Sequence, residues 1–389
     1  MQIFDLAIVG GALVGSSFAL ALGDTDLTVA LIEPHAPRAP QSMEDWDSRV
    51  YALSPGNADW LQKLGIWSRL PEERLTAVER MRIFGDQARG RLEFSAYDSG
   101  LSELAWIIEN GLLQRALWEA LQNSQQVRVF CPARPAEVAW ERDFARLTLD
   151  DGSEIAARLI VGADGAESWV RERAGIASTV EDYEQIGVVA NFAAERPHDG
   201  TAFQWFRADG VLALLPLPGS RVSMVWSAPE EWADELLGRS RAALEREVEH
   251  ASAGALGALQ LITPAAGFPL RRQRVGRLVE PRAALIGDAA HNVHPLAGQG
   301  VNLGLRDARE LARVLLRRGA QKDCGEYGLL RRYERARRED IAALELTTHG
   351  LKKLFESSAV SMTALRNIGL ALVDRQPLVK TALIRRAIA

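Results

Sequence analysis

A glycine-rich turn near the start of the chain is the first segment that could do chemistry. Gly10-Gly11-Ala12-Leu13-Val14-Gly15 follows the apolar run from Phe4 to Val9, which predicts a short buried strand. Glycine permits a tight turn and lets backbone amides approach a pyrophosphate, which then lies at the positive end of the next helix. Ala12 replaces the middle glycine of the usual fingerprint, and its methyl group crowds the phosphate. The turn predicts a dinucleotide site contacted by Gly10, Ala12, Val14 and Gly15.

A carboxylate closes the next predicted strand. Glu33 lies eighteen residues after Gly15, at the end of the apolar stretch that begins at Leu27. A carboxylate at this place can accept hydrogen bonds from ribose hydroxyl groups. Because it disfavours a phosphorylated ribose, Glu33 indicates FAD or NAD rather than tightly bound NADP.

A second motif lies in the middle of the chain. It is Leu159-Ile160-Val161-Gly162-Ala163-Asp164-Gly165, followed by Ser168 and Arg171. A buried strand is thus predicted to end in a turn of small residues that carries one carboxylate. Asp-Gly is a common turn pair, so by itself this motif fits an ordinary turn as well as a ligand site.

The third motif runs from Ala283 through Gly287-Asp288 and His291 to His294-Pro295, and ends in Gly298-Gln299-Gly300-Val301-Asn302. A carboxylate at the end of a buried strand can bind sugar or ribityl hydroxyls. Gly298 and Gly300 place bare amides at the start of a predicted helix, where the dipole stabilises the negative edge of a reduced flavin. The two histidines lack a third ligand at useful spacing, and we predict no metal site.

A mixed α/β fold is needed to position these motifs. Phe4–Val9, a helix over 16–22 and Leu27–Glu33 form a βαβ unit, and 34–55 is expected to be an extended excursion. Further helices are predicted over 57–64, 109–121, 299–316 and from Tyr333 to near the end. Further strands are predicted over 128–138, 146–149, 154–161 and 283–286. The four short strands 186–192, 201–206, 211–217 and 221–227 are separated by turns and indicate an antiparallel sheet.

This order predicts a Rossmann-like nucleotide-binding domain with an inserted antiparallel-sheet substrate domain and a C-terminal helical segment. The nucleotide-binding domain is assigned to residues 1–70, 101–180 and 281–330. The substrate domain is assigned to 71–100 and 181–280, and the C-terminal helices to 331–389. Along these helices Ile341, Leu344, Thr348, Leu351 and Phe355 form a mostly apolar stripe, which more often packs in a core than meets lipid.

Composition limits the partners of the chain. With 389 residues, 47% hydrophobic residues and a net charge of -5, the sequence is typical of a globular enzyme and does not favour nucleic acid. Cys131 and Cys324 form no disulfide framework, which fits a reducing cytoplasm. No run is apolar and long enough to cross a bilayer. Arginines are dense between Arg306 and Arg338, where we expect a solvated helical face with ion pairs or a patch for anionic lipid.

Taken together, the three motifs resemble in order and spacing those of the flavoprotein aromatic hydroxylases, which are like para-hydroxybenzoate hydroxylase. More closely, nearly the whole chain resembles the ubiquinone-biosynthesis hydroxylases. The segments that carry this resemblance are Asp47-Ser48-Arg49, Tyr51-Ala52-Leu53-Ser54, Leu64-Gly65-Ile66-Trp67, Glu109-Asn110 with Leu113 and Leu117, and the hairpin from Leu214 to Ser227.

The resemblance implies FAD as the cofactor and assigns roles to its binding residues. Glu33 is expected to bind the adenosine ribose, and Arg49 and Asn110 to line the path of FAD. Asp164, with Gly165, is expected to shape the cofactor site, and Asp288 to hold the ribityl chain. The amides of Val301 and Asn302 are expected near the flavin ring, with Pro295, Gly298 and Gly300 beside them.

The resemblance also implies the reaction. NAD(P)H, bound transiently, reduces FAD, O2 reacts with the reduced flavin, and one oxygen atom passes to the ring of a phenol. The expected substrate is a polyprenylated phenol or quinol, drawn from a membrane or from a biosynthetic assembly. The sequence identifies no catalytic base, and His291 and His294 fit a structural role equally well.

One departure from the family pattern concerns the substrate. The family usually has an arginine within Phe203-Gln204-Trp205-Phe206, where this chain has Trp205, which we interpret as a packing residue. Two other functions are considered: a flavin-dependent reductase of isoprenoid double bonds, and an FAD-binding assembly subunit that carries lipid without turnover. A halogenase is disfavoured because the paired-tryptophan motif is missing.

Overall fold

The structure is a computed structural model that describes residues 3–23, 25–38, 45–85, 91–207, 209–292, 299–319 and 323–356. The side chains of 299 and 344–356 are outside this description. The helices of the described residues are α1 (Leu13–Ala21), α2 (Pro55–Lys63), α3 (Asn110–Gln122), α4 (Trp169–Arg173), α5 (Glu230–Gly238), α6 (Arg241–Ala251), α7 (Gln299–Leu316) and α8 (Tyr327–Glu356).

The strands fall into three sheets. Their bounds are β1 (Ile3–Val9), β2 (Val29–Ile32), β3 (Val50–Leu53), β4 (Thr76–Val78), β5 (Arg80–Phe84), β6 (Arg91–Ser95), β7 (Ala105–Glu109), β8 (Val127–Phe130), β9 (Pro135–Trp140), β10 (Ala145–Leu149), β11 (Glu154–Gly162), β12 (Ser178–Ala194), β13 (Thr201–Arg207), β14 (Gly210–Leu217), β15 (Arg221–Pro229), β16 (Leu259–Leu261), β17 (Ala266–Val275), β18 (Val279–Glu280), β19 (Ala283–Leu285) and β20 (His291–Asn292).

The first sheet has a parallel centre. Its order is β18-β19-β11-β1-β2-β8, and β1 pairs in parallel with both β11 and β2. Leu6, Ala7 and Ile8 of β1 are fully buried, because a central parallel strand is covered on both faces. The predicted βαβ unit is therefore confirmed. The carboxyl ends of β1, β11 and β19 lie side by side, and each of the three motifs follows one of these strands.

The second sheet is mostly antiparallel and has the order β20-β17-β12-β15-β14-β13-β5-β6. All four short strands predicted between 186 and 227 belong to it, although β12 is longer than expected and begins at Ser178. Helices α5 and α6 cover one face. Trp205 packs in the core on that face, stacked between Phe84 and Phe203 with ring centroids 5.3 and 5.8 Å away, as predicted.

Two expectations about the connecting segments were wrong. The excursion over 34–55 is not wholly irregular, because β3 lies in it and pairs with β7 in a small third sheet, β3-β7-β4. The strand predicted over 128–138 is two strands. It is broken at the Cys131–Pro132 peptide, which is cis, and proline supplies no amide hydrogen for a sheet ladder.

Helices α7 and α8 close the fold against the first sheet and α1. The hydrophobic core there joins Leu305, Leu311 and Leu315 of α7 to Phe18 of α1 and Leu330 of α8. Within the part of the chain that the structure describes, no helix combines the length and apolar character needed to cross a membrane.

Candidate functional site

The glycine-rich turn packs directly on the second motif. Gly10 has a φ of +103°, and a Cβ atom there would lie 2.3 Å from the carbonyl oxygen of Ala163. The Ala163 amide donates to the Val9 carbonyl at 2.8 Å. A Cβ atom on Gly15 would lie 1.9 Å from the Gly10 carbonyl oxygen. Only glycine therefore allows α1 to begin this close to the ends of β1 and β11.

The same turn also packs on the third motif. Val14 contacts Gly287 and Gly304. A Cβ atom added to Gly287 would lie 3.3 Å from Val14 Cγ1, and one added to Gly304 would lie 2.7 Å from Val14 Cγ2. The second and third motifs meet through Arg171, whose guanidinium donates to the carbonyls of Ala166 at 2.8 Å and Ala289 at 3.0 Å. The structure thus brings all three motifs together around the N-terminus of α1.

Glu33 lies beside this N-terminus. Its Oε2 accepts a hydrogen bond from the Gly11 amide at 2.5 Å, and its Oε1 accepts one from the His35 amide at 3.1 Å. It also lines a cavity of about 770 Å³ whose other walls include Arg38, Asp47, Asn110 and Cys131. A cavity of this size next to a carboxylate and a helix N-terminus suits a nucleoside.

Arg49 and Asn110 are placed near each other by a buried ion pair. Arg74 donates from Nε and Nη2 to the Glu109 carboxylate at 2.9 and 2.8 Å, and Glu109 Oε1 also accepts from the Asp47 amide at 2.7 Å. Burial raises the pKa of Glu109, although the Asp47 amide and Arg74 oppose that rise. Asp47 in turn accepts from the amides of Arg49 and Gly111. These contacts hold the segment that carries Arg49 against the start of α3.

The Asp164 carboxylate accepts hydrogen bonds from residues of its own turn. Oδ1 accepts from the Ser168 hydroxyl at 2.5 Å and Oδ2 from the Val170 amide at 3.0 Å. The carboxylate therefore fixes the start of α4, and burial raises its pKa. Asp164 shapes the edge that Gly10 packs against, while Gly165, with a φ of +84°, lets the chain turn away.

Asp288 is an exposed residue in the turn that follows β19, near the start of the third motif. The surrounding protein raises the pKa of Asp288 through desolvation, whereas His291 and Arg49 lower it. Arg49 also lies over the rings of Tyr51 and Phe268, 5.6 Å from each centroid. The exposed guanidinium of Arg49 thus stands between the Asp288 turn and the second sheet.

The side chain of Asn302 does not face a ligand. Its Oδ1 accepts from the Ser54 amide at 2.8 Å and from Asn57 Nδ2 at 2.9 Å, and its Nδ2 donates to the Ala52 carbonyl at 2.7 Å. The amides of Gly300 and Val301, in the first turn of α7, remain available as donors because the first four amides of a helix have no intrahelical acceptor. Of the predicted residues, Pro295 and Gly298 lie outside the described residues, as does His294.

His291 has a structural position. Its ring is 2% exposed, and Nε2 lies 2.5 Å from Asp307 Oδ2. Asp307 and its partner Arg337 were missed as members of the site, because nothing in their local sequence distinguishes them from surface charges of a helix. Arg337 is 3% exposed, so the expectation of a solvated arginine face is wrong at this residue.

FAD fits these residues. A backbone cradle without side chains faces the N-terminus of α1, Glu33 borders the nucleoside-sized cavity, and Asp288 lies on the far side of the same helix N-terminus. Glu33 suits the adenosine ribose, the cradle suits the pyrophosphate, and Asp288 suits the ribityl chain.

Solved structures share the architecture of this chain. A probable FAD-dependent monooxygenase of Pseudomonas aeruginosa, PqsL, aligns with a TM-score of 0.76 at 24% identity, over 95% of this chain and 100% of that one. The p-nitrophenol 4-monooxygenase PnpA of Pseudomonas putida aligns with a TM-score of 0.80 at 17% identity, over 100% and 99%. HpxO of Klebsiella pneumoniae, crystallised with FAD and uric acid, aligns with a TM-score of 0.72 at 18% identity, over 98% and 97%. The predicted fold class, that of FAD-dependent monooxygenases, is confirmed.

Sequence comparison identifies the family. Residues 4–347 match the family described as FAD binding domain. The ubiquinone hydroxylase UbiL of Rhodospirillum rubrum is 33% identical over 99% of this chain and 90% of its own length. The 3-demethoxyubiquinol 3-hydroxylase of Escherichia coli is 33% identical over 99% and 98%, and the mouse mitochondrial monooxygenase COQ6 is 32% identical over 95% and 87%. The chain therefore belongs to the FAD-dependent monooxygenases of the ubiquinone-hydroxylase family, with FAD as its cofactor and NAD(P)H as the electron donor general to this class.

Proposed function

We propose that this enzyme hydroxylates the aromatic ring of a polyprenylated phenol or quinol in ubiquinone biosynthesis, with NAD(P)H and O2 as co-substrates. The observation that carries the proposal is the convergence of three distant motifs on one helix N-terminus, in a chain that matches ubiquinone hydroxylases over nearly its whole length.

The residues predicted from the sequence are proposed to hold FAD. Gly10, Ala12, Val14 and Gly15 form the cradle for the pyrophosphate, and Glu33 takes the adenosine ribose, for which it would release the Gly11 amide. Asp288 binds the ribityl hydroxyls. The remaining proposed contacts are Arg49, Asn110, Asp164, Gly165, Pro295, Gly298, Gly300, Val301 and Asn302, of which Asp164 and Asn302 act by holding backbone in place.

The cofactor and the protein are proposed to contribute different parts of the reaction. Bound FAD supplies electron transfer from NAD(P)H and the activation of O2. The amides at the start of α7 stabilise negative charge through the helix dipole. We propose that the first sheet, with 1–70, 101–180 and 281–330, binds the cofactor, and that 71–100 and 181–280 cover the substrate. The C-terminal helical segment expected over 331–389 lies outside the described residues after 356.

The face of the second sheet opposite α5 and α6 supports an apolar substrate. A first row of side chains across it, which includes Ala202 and Leu215, is covered by the third sheet. The next row consists of Val189, Val225, Ala213, Gln204 and Ile83. Apart from Gln204 these side chains are apolar, and none of them belongs to a packed core cluster of the described residues. This second row can face a prenylated aromatic ring.

Gln204 is the polar member of the second row. It is 6% exposed and lies among apolar neighbours in this row. Because a side-chain amide can both donate and accept hydrogen bonds, we expect it to bind an oxygen substituent of the substrate ring. Gln204→Leu should raise the KM for a prenylated phenol about tenfold while FAD affinity is unchanged, as one lost hydrogen bond predicts. Trp205→Phe, on the opposite face, is the control, and an unchanged KM in Gln204→Leu would contradict the role.

The reaction is tested with purified protein, a prenylated phenol and NAD(P)H. We expect NAD(P)H oxidation that the phenol stimulates, and a product that carries one atom of ¹⁸O from labelled O2 by mass spectrometry. Oxygen-independent reduction of a prenyl double bond would instead identify a reductase. Binding of FAD and lipid with no turnover would identify a carrier subunit.

Asp288 provides the test of the cofactor site. Asp288→Ala removes the proposed acceptor of the ribityl hydroxyls, so the purified variant should lack the flavin absorption band at about 450 nm that the wild-type protein shows. Asp151→Ala, in an exposed turn, is the matched control and should retain the band. A fully yellow Asp288→Ala protein would remove Asp288 from the site.

We further propose that the enzyme is cytoplasmic and takes its substrate at a membrane surface, supported by the exposed arginines of α7 and α8, which are Arg313, Arg332, Arg335 and Arg338. Flotation with liposomes that contain anionic lipid is expected to carry the protein upward. Absence of flotation with either anionic or neutral liposomes would contradict this part of the proposal.

A further inference from the structure

We infer that Asp307, on α7, is a positioning residue for the FAD site, whose carboxylate fixes the Gly287–Asp288 turn and couples that turn to α8. The inference rests on the proposed binding of FAD by Asp288. Asp307 itself is not placed in contact with the cofactor, because it is fully buried behind the turn.

The Asp307 carboxylate is contacted by three residues from two separate parts of the chain. Asp307 Oδ2 accepts from the Gly287 amide at 3.0 Å and lies 2.5 Å from His291 Nε2. Its Oδ1 accepts from Arg337 Nε at 2.7 Å. Gly287 and His291 flank Asp288 in the same turn, and Arg337 belongs to α8. Asp307 therefore holds both ends of the segment that presents Asp288.

The backbone at Gly287 makes this support specific. Gly287 has a φ of +63° and packs on Val14 of the glycine-rich turn. Gly287 immediately precedes Asp288 in the chain. Because Asp307 fixes the direction of the Gly287 amide, it also limits where the Asp288 carboxylate can point. A buried charged acceptor of this kind makes a stronger hydrogen bond than a neutral one.

Helix α8 anchors the same segment at two points. Tyr333 donates its hydroxyl to the Leu285 carbonyl at 2.8 Å, one strand residue before the turn begins, and Arg337, one helical turn later, donates to Asp307. Tyr333 is fully buried and Arg337 nearly so. Displacement of α8 would take both the Tyr333 hydroxyl and the Arg337 cation away from the segment.

The negative charge on Asp307 contributes to holding the turn and α8. Burial alone opposes its ionisation, but His291 and Arg337 outweigh burial and hold the pKa of Asp307 below its ordinary value. If the charge is removed, Arg337 loses its buried partner and keeps only the more exposed Asp340. A neutral side chain of the same shape at position 307 therefore disturbs both the Gly287–Asp288 turn and the packing of α8.

The test compares Asp307→Asn with Glu334→Gln. Glu334 is a matched control because it is equally buried on α8 and accepts from the Leu278 amide at 2.9 Å, yet contacts neither Gly287 nor Asp288. Holoenzyme is diluted serially below the melting temperature of both variants, and released FAD is measured by its fluorescence. We expect Asp307→Asn to bind FAD more weakly by a factor on the order of ten, and Glu334→Gln to match the wild type even if both melt earlier.

Equal FAD affinity in Asp307→Asn and wild type would overturn the inference, and so would equal losses in the two variants. Failure of the wild-type protein to hold FAD would instead reject the proposed function. If Asp307→Asn does not fold, hydrogen exchange of the wild type decides. Addition of FAD should slow exchange in 327–343 of α8 more than in α6, which lies on the far face of the second sheet. Equal slowing in both helices would overturn the coupling.

Discussion

At the scale of single residues, the site depends as much on missing side chains as on present ones. Gly10 and Gly15 let α1 begin against the Ala163 carbonyl and the Gly10 carbonyl, and Gly304 lets α7 pass Val14. The functional carboxylates are divided between two tasks. Glu33 lines a cavity and Asp288 is exposed, whereas Asp164 and Asp307 act by holding the protein's own donors.

A substitution at Gly10 tests whether the absence of a side chain is needed there. We expect Gly10→Ala to lower the free energy of unfolding by more than about 3 kcal/mol, because a positive φ and a clash with Ala163 combine. Gly175→Ala is the matched control. Its φ is +67°, but no atom lies within 4 Å of the added Cβ, so its cost should be about 1 kcal/mol. Urea unfolding of both variants measures the difference, and equal losses would show that packing on Ala163 contributes little.

At the scale of elements, the position of α7 is fixed near its first turn. Asn302 forms three hydrogen bonds with the segment from Ala52 to Asn57, which joins β3 to α2. Such a side-chain anchor orients the helix and therefore the amides at its N-terminus. The sequence-based prediction for Asn302 concerned its amide, and the structure adds that its side chain sets the direction in which α7 points.

Asn302→Ala should therefore lower the free energy of unfolding by about 3 kcal/mol, since it leaves buried donors and an acceptor unpaired. FAD affinity should fall as well, because the amides of α7 are no longer oriented. Arg313→Ala, which removes an exposed pair with Glu310 on the same helix, should change stability by less than about 0.5 kcal/mol. Thermal unfolding with and without FAD measures both effects. A stable Asn302→Ala protein that binds FAD normally would contradict the anchor.

At the scale of the whole molecule, the segment from Asp47 to Leu53 contacts the second sheet, and its Leu53 is buried in the core of the first sheet. Asn191 of β12 donates to the Asp47 carbonyl at 2.9 Å, and Arg49 lies over Phe268 of β17. Behind this junction, α7 and α8 bury a network of charges around Asp307. A network of this kind makes global stability depend on protonation.

The signs of the two main titrations are opposite. Burial opposes the charge of His291, but Asp307 outweighs it, so the folded pKa is raised above 6.5. This contribution is complete below the unfolded pKa of about 6.5 and is lost as pH rises through the higher folded pKa. The folded pKa of Asp307 is lowered, so its contribution is complete above the unfolded value near 3.8 and is lost as pH falls through the folded pKa.

We therefore expect Tm to decline from about pH 6.5 upward in the wild type. His291→Asn should show a flatter profile over the same range, because the titrating ring is gone. His250→Asn, on the exposed side of α6, is the control and should keep the wild-type slope. Calorimetry across the pH range measures this dependence. A wild-type Tm that rises with pH in this window would show that His291 is not charged in the folded state.

The sequence by itself determined the local order of the fold and the kind of cofactor. Apolar runs that end in Gly10, Asp164 and Asp288 predicted strands followed by ligand-bearing turns, since periodicity and turn chemistry are local properties. Glycines at 10 and 15 and an acid at 33 predicted a dinucleotide. The short strands between 76 and 109 and the helices between 230 and 251 were not predicted, because their patterns are too short or too weak.

Only the tertiary structure decided which residues support the site. Asn302 meets Ser54 across 248 positions of sequence, and Asp307 meets Arg337 and Gly287 from three different elements. Sequence spacing does not specify such contacts, because an inward and an outward side chain on a helix differ only in what the rest of the chain places beside them. For this reason the sequence does not distinguish Asp307 and Arg337 from surface charges. Only the packing of α7 and α8 places them in the interior.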